Sequence, residues 1–217
     1  ITFTAKNKMS NSNGENNVYH KLATPMVFEP VFEKLEQKSL SHTHTLKQSF
    51  AKVEQQYPGF SQNFLIGILN KLGLENEVDM SETFLRMASM AETGVVRNMR
   101  KQIYNILESK AHTLKEILSR IPDEISDRRS FLDTIREIAG AIKNLLDCVS
   151  EVITHLPTDN HKTSLEQAKR DFVKYSKRFS NTLKAFFRDN RPSEVYASAN
   201  LLVNQTNMIL LVVRDAA

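Results

Sequence analysis

The spacing of apolar residues changes part way along the chain. After about residue 97, apolar side chains recur three or four positions apart in four long segments, which end at Pro122, Pro157, Pro192 and Val213. The second segment is the clearest, because its apolar positions alternate steps of four and three: Phe131, Ile135, Ile138, Ile142, Leu145, Val149 and Val152. Amphipathic helices joined by short Pro-containing turns favour an antiparallel four-helix bundle.

The helical segments before residue 92 are shorter. They begin at MVFEPVFEKLEQ and continue over about 40–56, 60–72 and 81–90, with breaks at Tyr57-Pro58-Gly59 and Gly73. Helices of this length are marginal in water unless they bury an apolar face. Two such faces are predicted, along Leu46, Ser49, Phe50 and Val53 and along Phe64, Leu65, Ile68, Leu69 and Leu72. From the pattern, a dimer surface and a small independent core are almost equally good interpretations.

These patterns predict an all-α protein with a defined division of the chain. Residues 1–20 are rich in Asn, Ser and Lys and are expected to form a disordered tail. We expect an N-terminal helical domain over 21–92, a linker over 93–98 and the bundle over 99–217.

Composition supports long helices and excludes several classes of protein. The chain has six Gly, six Pro and no Trp, and its net charge of +4 lies wholly after residue 96. The single cysteine, Cys148, falls within an apolar helical run, so it is expected to pack in the core of a protein from a reducing, intracellular compartment. No apolar run approaches the ~20 residues that cross a bilayer.

Sequence motifs for catalysis are missing. There is no Gly-rich phosphate loop, no Cys/His metal spacing and no nucleophile elbow, so we expect no enzyme activity, no metal and no cofactor. The carboxylates Asp123, Glu124 and Asp127 are better explained as acids at helix N-termini than as a catalytic pair.

Two bundle helices share a basic, small, basic pattern. At positions i, i+3 and i+7 they carry Arg136, Ala139 and Lys143, and Lys177, Ser180 and Lys184. Adjacent helices with this pattern would form a shallow cationic groove for an amphipathic helix with acidic residues beside its leucines. Ordinary solvated lysines are the commoner explanation of such spacing.

The basic character of residues 160–191 also supports an alternative function. A peripheral membrane module could bind phosphoinositides through this third bundle helix. Its aromatic residues lie on the apolar stripe and not between the cations, so nucleic-acid binding is not expected.

Long blocks of the sequence resemble the cerebral cavernous malformation 3 family, also called the programmed cell death protein 10 family. They are LSRIPDEISDRRSFLDTIREIAGAIKNLLD at 118–147, and FVKYSKRFSNTLKAFFRD and SANLLVNQTNMIL within 172–210. VFEPVFEKLEQ, TLKQSFAKVEQQYPG and SETFLRMA match more loosely, so the resemblance covers about 22–216. It implies an N-terminal helical dimerisation domain, followed by a bundle similar to the focal-adhesion-targeting domain.

The resemblance also implies partners for the N-terminal helices. The domain would pair with itself when no kinase is present, and preferentially with germinal centre kinase III (Sterile20-like) kinases. The matching positions are Leu46, Ser49, Ile68 and Leu69, to which we add Phe50 from the same predicted face. Ser49 stands where better-known relatives have Ala.

In this family the bundle groove binds leucine-aspartate motifs of paxillin and of the cerebral cavernous malformation 2 scaffold, and it engages striatin. The matching positions are the six residues of the basic, small, basic pattern, with Arg136 in place of Lys. The resemblance therefore implies a scaffold that links a kinase to striatin-phosphatase assemblies and adhesion scaffolds. We expect it in the cytoplasm, with peripheral Golgi and plasma-membrane pools.

Overall fold

Helices and the turns between them make up the whole of the described structure. The computed structural model describes residues 16–90 and 102–216, and these ranges contain no strand. The predicted all-α fold is confirmed. The N-terminal helices are α1 (Asn16–Ala23), α2 (Glu29–Glu36), α3 (Leu40–Gln56), α4 (Phe60–Leu72) and α5 (Met80–Arg86), with a π-helical turn over Thr24–Phe28 between α1 and α2.

The remaining helices form the predicted four-helix bundle. Its long members are α6 (Gln102–Ser119), α8 (Arg128–His155), α9 (Asp159–Asp189) and α10 (Pro192–Ala216), and a single turn, α7 (Ile121–Glu124), follows α6. Each long helix packs on its neighbours in the chain, and α10 returns to α6, so the four helices close into a ring.

The predicted apolar stripe of α8 faces the centre of this ring. Phe131, Leu145, Val149 and Val152 are completely buried and Ile138 is nearly so, whereas Ile135 and Ile142 are half-buried at the edge. Cys148 is also buried, and burial raises the pKa of its thiol, which confirms the prediction of core packing. Asp127 caps α8 by accepting a hydrogen bond from the backbone N–H of Arg129 at 3.0 Å.

The structure starts earlier than the sequence pattern indicated. Helix α1 begins at Asn16, so the predicted tail over 1–20 is wrong for 16–20, while residues 1–15 lie outside the described residues. Tyr19 and Leu22 of α1 are buried, and the Tyr19 ring stacks on Phe84 of α5 with centroids 5.6 Å apart. Contacts distant in sequence stabilise this short, polar helix, and periodicity does not reveal them.

Helix α5 packs on the bundle, mainly on α10. The side-chain amide of Asn200 donates to the carbonyl of Ser81 at 2.7 Å, and Arg86 bonds Asp123 of α7 at 2.5 Å. The predicted division at residue 92 placed α5 in the N-terminal domain. The predicted linker over 93–98 lies outside the described residues.

One face of α10 is polar although it is buried. Asn200, Asn204 and Asn207 recur about once per turn, and all three are buried. Asn200 Oδ1 and Asn207 Oδ1 have no hydrogen-bond partner within the described part of the chain. Buried amides of this kind are uncommon in a permanent core.

Candidate protein-interaction sites

The turn between α3 and α4 is fixed from both sides. The Glu54 carboxylate accepts hydrogen bonds from the backbone N–H groups of Gly59 at 2.6 Å and Ser61 at 2.7 Å. Burial raises the pKa of Glu54, but these bonds outweigh it and hold the pKa below the ordinary 4.5. Gly59 has φ +95°, and a Cβ there would lie 2.8 Å from the His20 ring of α1. Glycine is required here both by conformation and by space.

Next to this turn the hairpin has a small aromatic core. It consists of Phe28, Phe32, Phe50, Phe60 and Phe64, with neighbouring ring centroids 5.2 to 6.4 Å apart. Phe50, predicted as a pairing residue, is half-buried at the centre of this cluster. Its main contacts within one chain are therefore intramolecular.

Helices α3 and α4 bury polar residues and expose apolar ones, including one edge of the cluster at Phe64. The fully buried side chains of these two described helices are Thr43, Ser61 and Gln62. The exposed apolar residues, with their exposed fractions, are Leu40 (68%), Leu46 (39%), Phe64 (42%), Ile68 (38%) and Leu72 (64%). Residues 16–90 and 102–216 of one chain leave this face uncovered.

Four of the five predicted pairing residues, Leu46, Ser49, Ile68 and Leu69, lie on this open part of the hairpin. Phe50 and Phe64 are in contact at 5.5 Å, and Leu46 and Ile68 each follow one helical turn farther from the connecting turn. Ser49 is exposed and donates to the carbonyl of Thr45, while Leu69 is half-buried. We call the surface formed by Leu46, Ser49, Phe64, Ile68, Leu69 and Leu72 the pairing face.

Two contacts fix the register between α8 and α9. Near one end, Lys169 Nζ lies 2.7 Å from Ser150 Oγ, and near the other the Phe131 and Phe187 ring centroids are 5.9 Å apart. Between these two contacts the antiparallel helices run side by side for about 28 Å of α8. Each step of one residue forward along α8 therefore corresponds to one residue back along α9. Ala139 is therefore level with Ser180.

This register brings the six predicted groove residues together. Arg136 is level with Lys184, and Lys143 is level with Lys177, so two cation pairs flank a centre of two small residues. All six are exposed. Arg136 pairs with Asp133 on its own helix, whereas the three lysines form no ion pair within the described residues. We call this set, Arg136, Ala139, Lys143, Lys177, Ser180 and Lys184, the cation groove.

The cation groove has an apolar floor that its spacing pattern did not include. Ile135, Ile142 and Leu146 of α8 are half-buried against the core, and Val173 of α9 is also half-buried. The signal was present in the sequence, because Ile135 and Ile142 sit at the edge of the apolar stripe. Apolar floor, small centre and cationic rim together suit an amphipathic helix that carries acidic residues.

The two ends of the cation groove differ. Beyond Lys143 and Lys177 there is a cavity of about 500 Å³, lined by Ser150, Ile153, Glu166, Lys169, Arg170 and Val173. Beyond Arg136 and Lys184 two large apolar side chains are exposed, Leu132 (37%) and Phe187 (44%). The Arg128 guanidinium covers the Phe187 ring at 5.9 Å.

Two other classes of site are absent from the described residues. Over 16–90 and 102–216, no three His, Cys, Asp or Glu side chains are grouped so that they could hold a metal ion. None of the helices in these ranges has the length and apolarity needed to cross a bilayer.

Comparison with known proteins gives concordant matches over most of the chain. Residues 16–75 match the family model described as programmed cell death protein 10, dimerisation domain, and residues 78–166 match programmed cell death protein 10, C-terminal. The chain is 36% identical over 201 residues to a programmed cell death protein 10 homolog of Caenorhabditis elegans, which covers 87% of this chain and 91% of that protein. The two models meet just before α5, the helix that packs on the bundle.

Proposed function

The chain belongs to the programmed cell death protein 10 family, and on that premise we propose that it is a non-enzymatic adaptor that pairs through its N-terminal helices and holds a partner helix in its bundle. One observation carries the proposal: the pairing face and the cation groove are built from different helices and have different chemistry. An apolar face and a cationic groove select different partners, so one chain can hold both.

The pairing face supplies the stronger contact in this proposal. It lies within the residues that match a dimerisation domain. Burial of apolar surface contributes ~25 cal/mol per Å², so an interface of about 2,000 Å² outweighs the cost of association. We infer that the preferred partner is the matching C-terminal domain of a germinal centre kinase III kinase, and that the chain pairs with itself when no kinase is present.

The cation groove supplies selectivity. Leucines of the partner helix would cover the half-buried floor, and its carboxylates would face Lys143, Lys177 and Lys184. Rim charges mainly set specificity and association rate. The partners we propose are leucine-aspartate helices of the paxillin type and of the cerebral cavernous malformation 2 scaffold, together with striatin.

A bridging assay tests the adaptor function directly. A leucine-aspartate peptide is immobilised, and the C-terminal domain of a germinal centre kinase III kinase is supplied in solution with or without this chain. We expect the kinase domain to be retained only when the chain is present. Retention without the chain, or none with it, would contradict the proposal.

Charge variants assign the peptide contact to the cation groove. Lys143→Glu with Lys184→Glu should weaken peptide binding about 30-fold or more, because two attractive contacts become repulsive. The matched control is Lys174→Glu, the same change at an exposed position of α9 outside the groove. Unchanged affinity of the double variant at physiological salt would remove the groove from the proposal.

A second candidate function rests on a shallow cavity on the outer side of α9. It has a volume of about 640 Å³, and its lining includes Arg170, Lys174, Lys177 and Arg178 with one carboxylate, Glu194. This excess of cations favours an anionic headgroup, so we propose phosphoinositide binding as the alternative.

Vesicle co-sedimentation separates the two functions. Binding to phosphoinositide vesicles should fall steeply with added salt and should be weakened by Lys174→Glu. That variant leaves peptide binding unchanged in the adaptor proposal. Vesicle binding that is equal with and without phosphoinositide would exclude the membrane function.

A further inference from the structure

The cation groove has approximate two-fold symmetry. Along α8 the order is cation, small, cation over Arg136, Ala139 and Lys143, and along α9 it is the same over Lys177, Ser180 and Lys184. Because the helices are antiparallel, a rotation of 180° about an axis that passes between Ala139 and Ser180 exchanges the two triplets. These six residues therefore do not distinguish the two directions in which a partner helix can lie.

The cavity beside Ile153 breaks this symmetry. The equivalent position on α9 would be Glu194, but α9 ends at Asp189, so no helical wall continues there. There the Phe187 ring is exposed, with the Arg128 guanidinium over it. The two ends of the groove are therefore not equivalent.

The residues that line the cavity indicate the kind of side chain that it would bind. Ile153 and Val173 give an apolar floor continuous with Leu146, and Lys169 and Arg170 stand at the rim. Lys169 is held in place by Ser150 at 2.7 Å, and Arg170 donates to Gln167 Oε1 at 3.0 Å and lies 3.7 Å from Glu166. A large apolar side chain flanked by carboxylates complements these groups.

From these features we propose that the cavity is a subsite for an extension of the partner helix, and that it sets the direction in which the helix binds. The inference rests on the proposed groove function. The cavity lies 11 to 14 residues along α8 from Ala139, a distance of about 16 to 21 Å. A helix centred over Ala139 and Ser180 reaches it with about two further turns at one end, and that extension carries one leucine and adjacent acidic residues.

Peptides extended at one end test the inference. A leucine-aspartate peptide of about 14 residues is compared with versions carrying two more turns, with one leucine and two glutamates, at either the N-terminus or the C-terminus. Binding to the full chain is measured by fluorescence anisotropy. One extension should tighten binding about 5- to 30-fold, as expected for burying one leucine, and the other should have little effect.

Opposite charge changes in the cavity provide matched variants. Lys169→Glu should abolish the gain from the favoured extension, and Glu166→Lys, at an exposed position, should enlarge it. Lys174→Glu should leave it unchanged. If Lys169→Glu proves unstable in a thermal melt, Glu166→Lys still tests the subsite. The subsite is contradicted if Glu166→Lys does not enlarge the gain in peptide affinity that the favoured extension produces.

The outcomes separate this inference from the function on which it rests. If the unextended peptide fails to bind, the groove function and the inference both fail. Binding of that peptide with equal gains from both extensions, or with none, overturns the inference alone. A paramagnetic label at the favoured end should broaden the methyl resonances of Ile153 and not those of Leu132, and the reverse result would overturn the assigned direction.

Discussion

The α3–α4 hairpin and the bundle are both amphipathic helices, but they use their apolar residues in opposite ways. In α8, the stripe from Phe131 to Val152 is turned inward and is covered by the other three long helices. In α3 and α4, the fully buried residues are polar, while Leu46 and Ile68 stay exposed.

The difference shows that amphipathicity alone does not predict what packs on the apolar face of a helix. Four helices of 18 to 31 residues enclose one another. The hairpin has too few neighbours, because beyond its aromatic cluster only short helices pack on it. The bundle covers its apolar stripe within one chain, whereas the described residues leave the pairing face of the hairpin uncovered.

Substitution in the pairing face should give the largest effect. Leu46→Asp with Ile68→Asp places two charges where apolar cover is needed, so pairing with a second copy or a kinase domain should be lost over the measurable concentration range. Both residues are exposed in one chain, so the bundle should stay folded. Light scattering gives the mass and circular dichroism the fold. A double variant that still forms a dimer, or still co-elutes with a kinase domain, would refute the assignment of pairing to this face.

A core substitution in the bundle should have the converse effect. Phe172 is completely buried in α9, and Phe172→Ala should lower the free energy of unfolding by about 3–5 kcal/mol through the cavity that it leaves. Pairing through the hairpin should persist at low temperature, and denaturant unfolding with light scattering in parallel measures both. Loss of pairing before the bundle unfolds would show that the two regions are not independent.

Two glycine substitutions sharpen the comparison. Gly59→Ala should destabilise the hairpin by about 1–3 kcal/mol, because the backbone is left-handed and His20 occupies the space of a Cβ. Gly140 lies on α8 with no atom within 4 Å of its Cβ position, so Gly140→Ala should stabilise by about 0.5–1 kcal/mol. Thermal melts at one protein concentration compare them, and equal shifts would contradict the assignment of Gly59.

The smallest expected effect concerns pH. The pKa of Glu54 is lowered in the folded state, so its contribution is present above the ordinary 4.5 and is lost as pH falls through the folded value. Glu54→Gln should cost about 1 kcal/mol at neutral pH, and its difference in unfolding free energy from the parent should shrink as the pH falls below 4.5 and Glu54 becomes protonated. A difference that does not change over the acid range in which the parent stays folded would rule out the carboxylate as the cap.

The bundle was largely predictable from sequence because its information is local. Alternating steps of three and four define a stripe, and prolines define the ends, so the four long helices were expected close to where they lie. Helix α1 and the docking of α5 depend on the contact of Tyr19 with Phe84 and on the hydrogen bond of Asn200 to Ser81. Such contacts join residues far apart in the chain and leave no periodic signal.

The interaction sites were predictable only in part. Spacing identified the cationic triplets, but the level pairing of Ala139 with Ser180 follows from the contact of Lys169 with Ser150. The exposed faces of α3 and α4 were expected from their apolar content. The position of Phe50 inside the aromatic cluster was not expected. A helical stripe does not show which of its residues already pack against other residues of the same chain.

The docking of α5 on α10 has a consequence for how the molecule could come apart. Phe84 and Leu85 of α5 are almost completely buried, so separating this helix from the bundle would expose two large apolar side chains. The same opening would let water reach the buried Asn200 amide, whose Oδ1 has no partner in the described residues, and this offsets only part of the cost. A molecule opened along this seam would be prone to aggregate.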